Sequence, residues 1–114
     1  MTAETIERLK AELKASYPGA LVAQNGSVTL VRLPEVIFLS SCNPRSTPAM
    51  VGLDPGKPKP DFYLKAIPSV RGAQPQYGTA TVGGESWCTF SYNLRWDESS
   101  SAVQFVQGML RRFA

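Results

Sequence analysis

Two cysteines, Cys42 and Cys88, are the side chains of this 114-residue chain best suited to nucleophilic chemistry near neutral pH, and the chain contains no histidine. Cys88 lies in the sequence WCTFS (87–91), eight residues ahead of Trp96. The missing imidazole excludes cysteine–histidine and serine–histidine–aspartate catalysis. Acyl exchange on a thiol remains possible, because a free cysteine with a pKa of about 8.5 is already a few per cent thiolate.

Cys88 also fits a structural interpretation, because a lone cysteine is more often a small buried apolar residue. A strand is expected around residues 86–92. Alternation along it would place Cys88, Phe90 and Tyr92 on one face and Trp87 and Thr89 on the other. The pattern alone does not decide whether the thiol is accessible.

Cys42 stands at the end of a predicted strand, just before Asn43-Pro44, and a structural role is expected for it. Two cysteines without histidine do not predict a zinc site, and no metal or other cofactor is expected. A disulfide between Cys42 and Cys88 is an alternative that would suit a secreted binding protein.

The composition is typical of one globular domain covering residues 1–114. The chain is 43% hydrophobic and 18% charged, with a net charge of +3. Its basic residues are scattered, so no nucleic-acid partner is expected. No apolar run approaches the roughly 18 residues of a membrane span, and residues 2–16 lack the apolar centre of a signal peptide. We therefore expect a cytoplasmic protein with reduced thiols and no membrane partner.

Helical patterns open and close the chain. Thr2 is expected to cap a first helix that ends at Pro18-Gly19. A second helix is expected to start between residues 97 and 101 and to continue toward the C-terminus, with Gly108 weakening it by about 1 kcal/mol relative to alanine.

Strand patterns lie between the two helices. Strands are expected at 20–24, 27–33, 36–40, 49–53 and 62–64, with a tight turn at Asn25-Gly26. The proline-rich segment 54–61 predicts an extended surface connection, and residues 67–84 show no clear periodicity. This order predicts an α+β domain: an N-terminal helix, a four- to five-stranded antiparallel meander, and a C-terminal helix packed on the sheet.

The layout resembles the ubiquitin-conjugating E2 (UBC-like) superfamily, and more narrowly the small bacterial E2-like proteins of ubiquitin-like modifier systems. The features that carry the resemblance are the turn PGKPKP (55–60), the strand at 62–64, the segment GESWC (84–88), the seven-residue gap to Trp96 and the helix that follows. The resemblance implies a UBC-like fold, no cofactor, and a conjugation pathway such as those of bacterial antiphage defence.

The resemblance also implies an activity. Cys88 would accept a ubiquitin-like modifier as a thioester from an E1-like activating enzyme and pass it to a target. Ser91 or Asn93 would support the loop or the developing oxyanion, and Trp96 would pack the last helix beneath the site. The first helix would dock the E1-like enzyme through three basic residues, Arg8, Lys10 and Lys14.

The sequence departs from classical E2 enzymes in two places. Tyr77-Gly78-Thr79 stands where those enzymes carry His-Pro-Asn, and the chain ends after the helix that follows Trp96. The sequence therefore also fits a non-catalytic E2-like or RWD-like module that recruits a protein partner by its sheet or helix face. Exposure of the Cys88 thiol would favour the carrier, and burial would favour the module.

Overall fold

The computed structural model describes residues 1–39 and 41–114. Within these residues two α-helices, α1 (Ala3–Ser16) and α2 (Ala102–Leu110), flank the strands, and a 3-10 turn (Arg111–Phe113) follows α2. Ser40, the last residue of the strand predicted at 36–40, lies outside the described residues. The strands are β1 (Leu21–Asn25), β2 (Val28–Ile37), β3 (Cys42–Asn43), β4 (Ser46–Leu53), β5 (Asp61–Leu64), β6 (Ser69–Val70), β7 (Gly78–Val82) and β8 (Glu85–Thr89).

Six of these strands form one antiparallel sheet in the order β1-β2-β4-β5-β8-β7. The strands β3 and β6 pair separately, with Cys42 opposite Val70. The large sheet therefore has two edge strands, β1 at one side and β7 at the other. The chain reaches β7 before β8, so the last strand in sequence lies inside the sheet.

The predicted α+β, UBC-like fold with a four- to five-stranded meander is wrong. The described chain is mostly β: a six-stranded antiparallel sheet with an N-terminal helix and a short C-terminal helix. Part of the error lies at Pro34, which was expected to separate two strands. Instead β2 continues past it through a bulge between Leu33 and Val36, where a proline is tolerated because the ladder is locally interrupted.

The other part of the error lies in residues 67–84, which were expected to be irregular but contain β6 and β7. The turn between β1 and β2 also differs by one residue from the prediction. Its central residues are Gly26 and Ser27, and Gly26 has a φ of +62°, a conformation that glycine adopts at no steric cost.

The first helix begins at the predicted cap, Thr2, and the second is capped by Ser101, the last residue of the range predicted for its start. The Thr2 hydroxyl accepts a hydrogen bond from the Thr5 backbone N–H at 3.1 Å, and the Ser101 hydroxyl accepts one from the Gln104 N–H at 3.3 Å. These bonds satisfy donors that a helix start otherwise leaves unpaired. None of the described helices has the length and apolar character needed to cross a membrane.

Both helices pack on one face of the sheet. Residues from α1, α2 and the inward-facing positions of the strands form the main core, and Phe62 of β5 meets Phe105 of α2 edge to face at 6.0 Å between ring centroids. The C-terminal helix thus contacts the sheet as predicted. The opposite face carries a second, smaller cluster of Leu30, Met50 and Trp87.

Candidate functional site

Cys88 lies on β8, one strand inside the edge of the sheet. Thr79 of β7 is its partner on the edge side, and Leu64 of β5 is its partner on the interior side. Its side chain is on the helix-bearing face, where it packs against the main core, whereas Trp87 belongs to the cluster on the other face. The predicted placement of Cys88 and Trp87 on opposite faces is confirmed, but β8 ends at Thr89, three residues before the predicted end of the strand.

The two thiols have different environments. Cys88 is partly exposed, and its Sγ donates a hydrogen bond to the carbonyl of Lys65 at 3.7 Å. Cys42 is 4% exposed, and its Sγ donates to the carbonyl of Phe113 at 3.1 Å. Both cysteines are free thiols. Of the two cysteines, Cys88 is the more exposed.

A tight hairpin holds Cys88 at this position. Gly83 and Gly84 form the turn between β7 and β8, and both have positive φ angles, +58° and +80°. Two successive positive φ values define a type I′ turn, whose twist matches that of paired strands. The sequence analysis found no clear periodicity in residues 67–84 and so missed this hairpin. The available signal was Gly-Gly flanked by two alternating segments.

The hairpin also determines which backbone groups of β7 are hydrogen-bonded to β8. Val82 and Glu85 flank the two-residue turn and form a hydrogen-bonded pair, and the two kinds of pair then alternate along an antiparallel ladder. Thr81–Ser86 and Thr79–Cys88 are therefore non-hydrogen-bonded pairs. In agreement, the Ser86 carbonyl points away from β7 and accepts a hydrogen bond from Lys65 Nζ at 2.8 Å.

Ser91 and Asn93, the residues predicted to support an oxyanion, follow β8 and are both exposed. Both line a cleft beside the start of β5, together with Asp61 and Tyr63. Ser91 also lines a neighbouring cleft. In an extended chain, a residue three positions after Cys88 lies about 10 Å along the strand. The structure thus brings Ser91 and Asn93 to a common cleft beyond the thiol.

The neighbouring cleft was missed by sequence reasoning. It is lined by Tyr77 and Gly78 at the start of β7, by Ser91 and by Arg112. Tyr77 is 43% exposed, and the Arg112 guanidinium lies 5.9 Å from the centre of the Phe113 ring. No local sequence pattern predicts this cleft, because its lining residues come from three separate parts of the chain, near positions 77, 90 and 112.

Trp96 packs on the last helix, as the resemblance implied. Its ring meets Phe105 of α2 edge to face, with centroids 5.6 Å apart. The indole Nε1 is buried and has no hydrogen-bond partner among the described residues. Contacts of this kind contribute to helix packing beyond the buried area alone.

The three basic residues predicted to dock a partner are not equivalent. Arg8 donates to Glu12 at 2.8 Å and to the carbonyls of Glu98 and Ser100 at 2.7 and 3.1 Å, so it ties α1 to the segment before α2. Lys10 pairs with Glu7 at 2.9 Å, and Lys14 is exposed near the end of α1. The role of Arg8 is therefore partly structural.

Three charged side chains cover the apolar cluster on the sheet face opposite the helices. Arg32 and Lys65 lie 5.3 and 4.8 Å from the centre of the Trp87 ring, and both form ion pairs with Glu85. The hydrogen bond from Lys65, with the charge of Arg32, holds the pKa of the Glu85 carboxyl below its ordinary value. This arrangement shields Trp87, which is 1% exposed.

The described residues contain no group of three or more histidine, cysteine, aspartate or glutamate side chains placed to hold a metal ion. Cys88 places a partly exposed thiol one strand inside the β7 edge of the sheet. Comparison with known proteins assigns no family: no family model matches the sequence, and neither a curated protein nor a solved structure gives a significant match.

Proposed function

We propose that this chain is a thioester carrier of the kind found among ubiquitin-conjugating E2 enzymes. Cys88 receives a ubiquitin-like modifier from an E1-like enzyme and passes it to a target. The proposal depends on the cysteine, on its exposure and on its separation of eight residues in sequence from Trp96, and not on a fold class. The cytosol is the compartment that would keep such a thiol reduced.

The observation that carries the proposal is the contrast between the two thiols. Cys88 is partly exposed on a strand near the sheet edge, whereas Cys42 is 4% exposed beneath the 3-10 turn. A carrier needs a nucleophile that a second protein can approach, held on a rigid element. Cys88 meets both requirements.

The transfer step needs no group that the chain lacks. The Cys88 thiolate attacks the carbonyl carbon of the E1-bound thioester, and a new carbon–sulfur bond forms. The bond to the E1 cysteine then breaks, and its sulfur leaves as a thiolate that takes up the proton lost by Cys88. One thioester is exchanged for another, so neither a histidine base nor an external oxidant is required.

Two further features would assist this step. Thr79 and Cys88 form a non-hydrogen-bonded pair, in which side-chain Cβ atoms lie about 5 Å apart. The Thr79 hydroxyl is therefore a nearer candidate than Ser91 or Asn93 for hydrogen bonding to the developing oxyanion. The exposed Lys14 remains available for docking the E1-like enzyme.

A charging reaction tests the proposal. The chain is mixed with ATP, an E1-like enzyme and its ubiquitin-like modifier, and the products are separated without reducing agent. We expect an adduct that dithiothreitol removes, that persists in Cys42→Ala and that is absent in Cys88→Ala. A charged E1-like enzyme that forms no adduct with the wild-type chain would refute the carrier function.

The sheet face opposite both helices favours a second candidate function, that of a non-catalytic module that recruits a protein partner. On that face Arg32, Lys65 and Glu85 present a partly exposed charged group above the buried cluster of Leu30, Met50 and Trp87. Titration of unlabelled modifier into Cys88→Ala protein, without E1 or ATP, would test it by NMR. Shifts confined to Arg32, Lys65 and Glu85 and to the Trp87 ring beneath them would support recruitment, and unchanged spectra would exclude recruitment of that modifier by this face.

A further inference from the structure

We propose that the free edge of β7 (Gly78–Val82) binds the extended C-terminal segment of the modifier as an added strand and so delivers its acyl carbon to Cys88. This inference rests on the proposed function and names how its substrate is held. Its basis is the register of the edge: the backbone groups that β7 leaves unpaired lie beside the thiol.

The unpaired groups follow from the hairpin geometry. Thr79 and Thr81 belong to non-hydrogen-bonded pairs with Cys88 and Ser86, so their N–H and C=O groups point away from β8. Because β7 ends the sheet, no strand among residues 1–39 and 41–114 bonds them on the outer side. The edge thus presents two donors and two acceptors at alternate residues, the arrangement that an added strand uses.

The side chains of β7 leave this edge open. The strand is Gly-Thr-Ala-Thr-Val, with no charged residue and no proline. Exposed edges are normally protected by lysine, proline, a bulge or a covering element. The other edge, β1, also lacks charge and proline, but it lies at the far side of the sheet from β8. Of the two edges, only β7 is paired with the strand that carries Cys88, so it is the edge from which a bound segment could reach the thiol.

The spacing sets the length of the segment. A strand added outside β7 would lie two strand spacings, or about 10 Å, from β8. An extended residue covers about 3.3 Å, so about three residues are needed to cross from the added strand to the thiol. Counted back from the acyl carbon, the segment would thus start to pair with β7 at about the fourth residue.

A pair of peptide thioesters tests this inference without the E1-like enzyme. Each carries 2-mercaptoethanesulfonate as the leaving thiol; one is acetyl-Gly and the other is the strand-forming peptide acetyl-Thr-Val-Thr-Val-Gly-Gly. Transfer of the acyl group to Cys88 is followed by intact mass. Two added main-chain hydrogen bonds predict that the long peptide reacts about tenfold faster at low concentration.

Two variants locate the effect. Thr81→Pro removes an outward N–H without removing a ladder bond to β8, and prolines are tolerated on such edge positions. We expect it to react with acetyl-Gly thioester at the wild-type rate and to lose the advantage of the long peptide. Thr81→Ala keeps the N–H and should keep that advantage.

Hydrogen exchange of the wild-type chain gives an independent measurement. A non-reactive amide version of the long peptide should slow exchange at the Thr79 and Thr81 N–H groups. Equal rates for the two thioesters with unchanged exchange would overturn the edge site while leaving the carrier function standing. Absence of reaction with both thioesters would instead count against the carrier function. Concentration-dependent dimerisation abolished by Thr81→Pro would assign the edge to a second copy and overturn the inference.

Discussion

Thr79 and Cys88 lie directly opposite each other in the hairpin formed by β7 and β8, with their backbone groups pointing in opposite directions. This pairing determines both properties that matter for the thiol. The Cys88 backbone pairs with Leu64 inside the sheet, whereas its side chain stands on the helix-bearing face and is partly exposed. A nucleophile is thereby held on a rigid element and stays accessible.

Selective alkylation should distinguish the two thiols. Iodoacetamide should modify Cys88 of the native chain at least about ten times faster than Cys42, because reaction at the buried Cys42 requires local opening of the structure. Mass spectrometry of timed digests measures both rates. Loss of this selectivity in urea provides the control, and equal native rates would contradict the placement of the thiols.

Glu12 should stabilise the contact between the two helices. Its Oε1 accepts a hydrogen bond from the Ala102 N–H, the first residue of α2, at 2.8 Å. Glu12→Ala should lower the free energy of unfolding by about 1–2 kcal/mol, because it leaves a helix-end donor without its partner. Glu7→Ala on the same helix, where the side chain is 68% exposed, should change it by less than about 0.5 kcal/mol. Urea titration measures both.

The same carboxylate predicts a dependence on pH. The Ala102 hydrogen bond, aided by Arg8, lowers the pKa of Glu12 in the folded chain. A lowered pKa contributes stability that is present above the unfolded value of about 4.3 and is lost as pH falls through the folded value. The stability difference between wild type and Glu12→Gln should therefore shrink from pH 7 to pH 3. A difference that grew on acidification would contradict this assignment.

Gly108 should gain more stability from substitution by alanine when Leu94 is shortened. A Cβ at this position would lie 2.8 and 2.9 Å from the methyl carbons of Leu94. Because the Leu94 side chain must shift to make room, we expect Gly108→Ala to gain little or none of the roughly 1 kcal/mol of helix propensity that alanine offers. In a Leu94→Ala background the same change should stabilise the chain by up to about 1 kcal/mol. Thermal unfolding of the four variants measures the coupling, and additive effects would refute the crowding.

Local signals were sufficient where the structure depends on neighbours in sequence. The Thr2 cap and the stripe of apolar residues that follows it predicted α1. The alternation of side chains along a strand predicted that Cys88 and Trp87 lie on opposite faces. These features depend on residues within a few positions of one another. The cap of α2 was bounded correctly for the same reason, since Ser101 bonds its own helix start.

The errors arose where distant contacts decide the structure. Continuation of β2 past Pro34 depends on pairing with β4, and β7 depends on a hairpin whose strand carries little hydrophobic signal. Arg8 was expected to be free for docking, yet it bonds the carbonyl of Glu98, 90 residues away. The position of Cys88 near an edge likewise depends on strand order, which no local pattern contains.

Replacement of Cys88 by serine gives the most direct test of the carrier function. After incubation with ATP, an E1-like enzyme and its modifier, the intact mass of the chain is measured before and after dithiothreitol and then hydroxide. We predict a wild-type adduct that dithiothreitol removes, a Cys88→Ser adduct that only hydroxide removes, and no adduct on Cys88→Ala. A modifier adduct on Cys88→Ala, or an uncharged wild-type chain beside a fully charged E1-like enzyme, would contradict the account.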